Sequence, residues 1–173
     1  MKLTKLSPMI LSLIAAASDN NVIGKDNWMP WDLPAELAHF RTVTRGKTVI
    51  MGRKTFDAAG RPMPKRHNII ISRQADLVIP GVDVVSSLEE AIELAKKDDI
   101  EEICIIGGEQ IYRLALPIAD RIYLSRVHTT IENGEAFFPE FSLEEWKETE
   151  RVEYAADSEN AIPFTMMTFE RVR

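Results

Sequence analysis

The chain has 173 residues, 45% hydrophobic and 28% charged, which suits one domain with a sizeable core and excludes a disordered or fibrous protein. Its single cysteine, Cys104, excludes an internal disulfide framework and fits a reducing compartment such as the cytoplasm. A net charge of −6 conceals one basic block: from Arg41 to Arg73, nine Lys or Arg stand against one acid, Asp57, which suits a small polyanion better than nucleic acid, whose binders need a broad basic face.

Lys2 and Lys5, then Met9-Ile-Leu-Ser-Leu-Ile14 and Ala15-Ala-Ala-Ser18, imitate a secretory signal. Pro8, the shortness of the run and its unbroken passage into Asp19-Asn-Asn-Val-Ile-Gly24 favour a buried first strand over Met9 to Ala17. A short disordered lead, residues 1–8, precedes it, and the run is too short to cross a membrane. A helix follows: Asp32 suits its N-cap, Pro34 its first turn, and Leu33, Leu37, Phe40 and Thr44 share one side at roughly 100° per residue. Glu36 falls inside that apolar arc. Such a carboxylate either keeps its head in water at the edge of the face or is buried awaiting a partner.

Thr48–Met51 and Asn68–Ser72 are short and apolar, as strands buried on both faces should be. Helical patterns run from Arg53 to Ala59, ending at Gly60, and from Ser87 to Lys96, opening on the capping box Ser87-x-x-Glu90. Glu102 to Ile106 is a further buried strand, followed by Gly107-Gly108 and a helix through about Leu116. Arg121 to Val127 continues the sheet, and Trp146–Tyr154 and Phe164–Arg171 have the mixed alternation of antiparallel strands. The expected fold class is α/β: a single mixed, mostly parallel central sheet with antiparallel C-terminal strands and about four flanking helices, in one domain over 1–173.

Three strand–helix corners suit phosphate. Gly107-Gly108 lets a ligand approach the backbone at a helix start. Gly52-Arg53-Lys54-Thr55 adds two cations and a hydroxyl, and Ser72-Arg73 follows the next strand. Gly60-Arg-Pro-Met-Pro-Lys-Arg66 is a stiff loop with three cations, suited to a carboxylate or simply a solvated rigid loop. His39, His67 and His128 lack metal-ligand spacing, Cys104 has no nearby Cys or His in sequence, and neither Gly-x-Ser-x-Gly nor a P-loop is present, so no metal is expected.

Together these residues resemble dihydrofolate reductase from Ile10 to Arg171. The markers are Val22-Ile-Gly24, Met29-Pro-Trp31-x-Leu-Pro-Ala-Glu36, Val49-Ile-Met-Gly-Arg-Lys-Thr-Phe56, Gly60-Arg-Pro-x-Pro-x-Arg66, Asn68-Ile-Ile-Ile-Ser72 and Ile106-Gly-Gly108-x-x-Ile-Tyr112. The resemblance implies a monomeric NADPH-dependent oxidoreductase that reduces 7,8-dihydrofolate to tetrahydrofolate for one-carbon and thymidylate metabolism. Hydride goes to pterin C6 and a proton to N5; antifolate inhibitors are implied as ligands, and nucleic acid and membrane as non-partners.

It further implies Glu36, Trp31, Met29 and Ser125 at the chemistry, with Ser125 reaching the acid through water. Ile14, Ala15, Leu37, Phe40, Ile106 and Tyr112 would line the substrate, and Arg66 would pair with its glutamate tail, with Arg61 and Arg41 nearby. Ala16, Ile23, Gly24, Gly52, Arg53, Lys54, Thr55, Ser72, Arg73, Ile106, Gly107, Gly108, Glu109, Gln110, Ile111 and Tyr112 would line the cofactor. A cis Gly107–Gly108 peptide and a mobile loop from about Ser18 to Leu33 are implied as well. Departures from the pattern are Glu36 where many bacterial members have Asp, Glu109 where many have a third glycine, Ser86 where a lysine often stands, and the extension before Met9. The rivals are the fold-related reductase of riboflavin synthesis, which would not need the Trp31–Phe40 segment, and a non-catalytic binding module, which would not need Glu36 or the glycines.

Overall fold

Period-two alternation along the first strand divides the interior into two cores. In the computed structural model, which describes residues 9–25, 29–74 and 76–173, β1 (Ile10–Ser18) turns Leu11, Leu13, Ala15 and Ala17 to one core and Ile14 to the other. The elements then follow as β2 (Val22–Gly24), α1 (Pro34–Thr44), β3 (Thr48–Gly52), α2 (Arg53–Ala59), β4 (His67–Ile71), β5 (Asp83–Val85), α3 (Leu88–Ala95) and β6 (Glu102–Ile105). After them come α4 (Glu109–Ala115), β7 (Arg121–Val127), β8 (Ala136–Phe137), β9 (Trp146–Tyr154) and β10 (Phe164–Arg171).

An eight-stranded sheet takes the order β5-β4-β3-β6-β1-β7-β10-β9. The strands from β5 to β7 are paired in parallel; β10 runs antiparallel to β7, and β9 antiparallel to β10. This is the expected mixed, mostly parallel sheet, with four α-helices among the described residues. The chain leaves β1 for β3 and later returns to place β6 between them. The carboxyl ends of β1 and β6 therefore form a topological switch point, where open α/β sheets bind ligands.

The two cores carry different helices. Leu13, Ile50, Ile69, Ile103 and Ile105 pack with Leu88, Ala91 and Ala95 of α3 and Ile111, Tyr112 and Ala115 of α4. On the other face Ile14, Val49, Met51, Ile70, Cys104 and Ile106 pack with Phe56 of α2 and with Phe40 and Val43 of α1. Burial pushes the Cys104 thiol up to about 12, as befits a small core hydrophobe. Below the α1 face, buried Glu102 accepts from Lys47 Nζ at 2.6 Å, Tyr123 OH at 2.8 Å and the Ser12 hydroxyl, tying together the starts of four parallel strands. Burial alone would raise its pKa, yet these donors hold it below the usual carboxylate range.

Four features depart from the sequence reading. Asp32 is exposed and does not cap α1: Leu33 takes the N-cap position without a side-chain bond, and Asn160 Oδ1 accepts from Ala35 N at 3.0 Å. Asn160 is fixed for this by Asp157 Oδ1, which accepts its backbone N–H at 2.7 Å and its Nδ2 at 3.1 Å. The capping box of α3 is half formed: Ser87 accepts from Glu90 N at 3.1 Å, while the Glu90 carboxylate takes the Ser86 hydroxyl. β5 and β8, three and two residues long, are too short to show a period. β9 is exposed at every position after Trp146, a charged edge that discourages further strand pairing. The lead at 1–8 lies outside the described residues, and no described helix is long and apolar enough to cross a membrane.

β2 is held against β8 by bonds from Glu135 N to Gly24 O and from Phe138 N to Asn21 O, both 2.9 Å. A Cβ at Gly134 would overlap the Val22 side chain of β2, a stiff β-branched residue with no exposure. Gly134→Ala is therefore expected to lower stability by about 1–3 kcal/mol through overpacking. Urea unfolding followed by fluorescence measures this, and an unchanged midpoint would contradict the contact.

Candidate active site

α1 has Pro34 in its first turn and carries Glu36 inward. Glu36 is 4% exposed, so the arc places it in the interior and not at the water's edge. Burial pushes its carboxyl up to about 7, against a smaller pull from the Ser125 hydroxyl, which favours the ionised form. Ser125 stands opposite Ala16 in the β1–β7 register, at the carboxyl end of both strands. Ile14 and Ile106 from the sheet and Phe40 from α1 share one core, with Leu37 half-buried beside Glu36 in sequence.

Trp31 and Leu33 pack with Val127, Phe164 and Met166, and Met29 and Ala16 lie against them. The buried Trp31 Nε1–H has no hydrogen-bond partner among the described residues. An orphaned donor in an apolar wall costs free energy until a water or ligand oxygen accepts from it. Tyr112 from α4 donates its hydroxyl to Ile14 O at 2.6 Å, and a Cβ on Gly107 would meet its ring at 3.4 Å. The Tyr112 phenol is driven far up by burial and by the neighbouring Glu36 charge, so it remains a donor.

Cations line one flank. Arg66 donates from Nε to Thr44 Oγ1 at 2.9 Å, from Nη1 to Pro64 O at 2.6 Å and from Nη2 to Arg41 O at 3.1 Å. Thr44 is itself held by Phe40 O at 2.8 Å. Asn68 braces the loop that presents Arg66, accepting from Met63 N and donating to Met63 O and Arg66 O, each at 2.9 Å.

On the other flank the β3–α2 and β6–α4 turns touch. Gly52 N donates to Gly107 O at 2.9 Å, a Cβ on Gly52 would press on Ile111 Cγ1 at 3.3 Å, and one on Gly108 would sit 3.4 Å from Thr55 Oγ1. The Gly107–Gly108 bond is cis. Arg53 lies between Asp57 Oδ1 at 3.1 Å and Gln74 Oε1 at 3.0 Å, next to Ser72 and the exposed Arg73. A backbone cradle that side chains would fill, rimmed by Arg53, Lys54 and Arg73, fits a long phosphate-bearing cofactor.

The family model of dihydrofolate reductase matches residues 10–171. This chain belongs to the dihydrofolate reductase family. It is 47% identical to dihydrofolate reductase type 3 of Salmonella typhimurium over 95% of this chain and 100% of that one. It is 50% identical to dihydrofolate reductase of Haemophilus influenzae over 88% and 92%. Dihydrofolate reductase from Enterococcus faecalis, solved in complex with NADP(H) and RAB-propyl, superposes with a TM-score of 0.86 at 33% identity, covering 95% of this chain and 97% of that one.

Several of the residues expected to line substrate or cofactor have other protein contacts or lie exposed. Ala15 turns its side chain into the α3–α4 core, away from Ile14, so it has only backbone to offer. Glu109 is committed: Oε1 accepts from Phe137 N at 2.8 Å, and Oε2 accepts from Arg113 Nε at 3.0 Å and Nη2 at 2.8 Å. In the third-glycine position it joins α4 to β8. Arg61 is exposed, and the charges of Arg45 and of the expected Arg41 bear on Arg66. Ile23 packs toward the α3–α4 core, Gly24 pairs with Ala136, and Gln110 is exposed. Asn160, which holds the start of α1, escaped sequence reading because it acts across the fold, and the bracing roles of Asn68 and Thr44 depend on where Arg66 folds.

The raised Glu36 pKa also sets a stability profile. The folded state holds this proton more tightly than the unfolded chain, so stability falls as pH rises from the unfolded value of 4.5 through about 7. The loss above that window is on the order of 3 kcal/mol. Glu36→Gln should therefore unfold at higher denaturant than the parent at pH 8, with the gap shrinking to under about 1 kcal/mol at pH 5. A gap independent of pH would show that burial does not hold this proton.

Proposed function

We infer that this chain reduces 7,8-dihydrofolate to tetrahydrofolate with NADPH, and that Glu36 is the carboxylate that orients the pterin. The observation that carries the assignment of the acid is its burial by the Ser125 hydroxyl, toward the carboxyl ends of β1 and β7. Bound NADPH supplies the hydride that reaches pterin C6. Ionised Glu36 accepts from the pterin 2-amino group and N3, and its charge favours a proton at N5. With a pKa of about 7 the group holds or releases a proton across the neutral range, where an acid–base residue is most useful.

Ser125 keeps part of the Glu36 population ionised, and Trp31 satisfies its N–H on a bound water or on the substrate. Ile14, Leu37, Phe40 and Ile106 exclude water around the ring, and Met29 covers it from the loop side. Arg66, already oriented by three protein acceptors, receives the carboxylate of the glutamate tail with little further ordering. Gly52, Gly107, Gly108 and Thr55 take the cofactor phosphates at close backbone range, while Arg53, Ser72 and Arg73 take the 2′-phosphate. Antifolates that present a protonated diamino ring would use the same carboxylate. A cytoplasmic location is the reading that the lone buried thiol supports.

Loss of NADPH absorbance on adding dihydrofolate to the purified protein tests the activity. Glu36→Gln is expected to keep NADPH binding and to cut hydride transfer at pH 7 by at least about tenfold, with a smaller deficit near pH 5, where solution protonates N5 directly. Parent-like turnover at pH 7 would remove Glu36 from the mechanism. Replacing Arg53 and Arg73 together with Gln should raise the NADPH KM far more than the NADH KM, because only NADPH offers a 2′-phosphate to bidentate cations. Equal increases for the two cofactors would misplace that corner.

A further inference from the structure

His67 opens β4 with a carboxylate on each ring nitrogen. Asp98, from the turn after α3, meets Nδ1 at 2.6 Å, and Asp83, the first residue of β5, meets Nε2 at 2.6 Å. Thr48, the register partner of His67 on β3, gives its hydroxyl to the same Asp98 oxygen at 2.5 Å. A neutral imidazole has one N–H and one lone pair, so it satisfies one carboxylate and turns a lone pair on the other. An imidazolium donates to both. Burial disfavours that charge, yet the bonds and charges of Asp98 and Asp83 outweigh it and hold the ring's pKa above the ordinary 6.5. Other charges on the surrounding elements are engaged elsewhere or lie in solvent. Glu93 of α3 pairs with Lys96, Lys47 pairs with Glu102, and Arg66 donates to Thr44, Pro64 and Arg41. Lys65, Lys97 and Asp99 are exposed.

β5 has three residues and lies at the edge of the sheet, paired with β4 alone. Its far end backs a corner that suits phosphate. Val85 O accepts from Ser72 N at 2.9 Å, Ser72 Oγ from Gln74 N at 3.1 Å, and Gln74 Oε1 from Arg53 Nη1 at 3.0 Å. A strand this short has few bonds of its own, so losing the one at its first residue bears on its last. Asp83 is also the more exposed of the two carboxylates, 55% against 25% for Asp98, so it is the one a neutral ring releases.

We propose that His67 is a pH-operated latch: protonated, it fastens β5 to the sheet and steadies the Ser72–Arg53 corner, and deprotonated, it frees Asp83 and lets that corner loosen. The folded state holds the ring proton more tightly than the unfolded chain. The fastening is therefore complete below the unfolded value of 6.5 and is lost as pH rises through the higher folded one. The consequence for cofactor rests on the reading that this corner takes phosphate.

Amide hydrogen exchange of the full-length protein at pH 6 and pH 9, corrected for the intrinsic pH dependence of exchange, tests the latch. Protection of the Ser72 amide should fall about fivefold between the two, the scale of one half-exposed charge-assisted bond, while the Ile106 amide, bonded to Ile50 O in mid-sheet, keeps its protection. His67→Gln, with no proton to lose, should show the same Ser72 protection at both pH values. Asp83→Asn should also be insensitive, because a carboxamide accepts from a ring N–H or donates to a ring lone pair. Equal Ser72 protection in the parent at both pH values would overturn the latch, as would a His67→Gln variant that keeps the parent's pH response. A fall shared equally by Ile106 would overturn it too, since the whole sheet would then be opening. NADPH affinity, read by tryptophan fluorescence quenching, should weaken from pH 6 to pH 9 more in the parent than in His67→Gln. An identical pH response in the two, with Ser72 protection still falling in the parent, would refute the phosphate reading of the corner and leave the latch standing.

Discussion

Glu36 is almost wholly out of water with one hydroxyl to steady it, and much of the fold serves to keep it there. Its helix is pinned at the start by Asn160, from the loop before β10, and at the end by Arg66 and Thr44. The strands beneath it are fastened through Glu102, whose donors come from β1, β7 and the residue before β3. A carboxylate in an apolar wall is destabilising whenever it is ionised, and natural folds keep such groups where activity needs them. Around this acid the α1 face packs Ile14, Phe40 and Ile106 into one core, while the α3–α4 face forms the larger one.

Electrostatics divides the site in two. The basic block from Arg41 to Arg73 is contiguous in sequence but splits in space. Arg41, Arg45 and Arg66 collect at the end of α1, while Arg53 and Arg73 lie at the carboxyl ends of β3 and β4. The strands between them run in parallel, so each return of the chain delivers its cations to an end of the sheet and not to its middle. The result is two cationic regions separated by an apolar floor. Such an arrangement suits two elongated anions whose uncharged reactive rings must meet.

Glu109 shows how a departure from the family pattern is absorbed. A carboxylate in the first turn of α4, next to a phosphate-suited backbone, would repel the anion it faces. Here Arg113 neutralises it from one turn along the helix, and the Phe137 amide takes the second oxygen. The side chain becomes a tie between α4 and the β2–β8 ribbon, from which the chain runs on toward Met29 and Trp31.

The sequence by itself determined the identity of most elements, because periodicity and end signals are local. β7, β9 and β10 lie over the spans expected of them, α2 stops at Gly60 because that residue holds a positive φ of 81°, and Glu36 was visible as an acid in an apolar arc. Tertiary structure decided what no local window contains. It chose burial over exposure for Glu36, and Asn160 over Asp32 as the partner of α1. It also turned Ala15 away from the site, since facing depends on register with β6 and β7 and not on the residue. Each of these outcomes joins groups far apart in the chain, and only the closed sheet brings them within hydrogen-bonding or Coulombic reach.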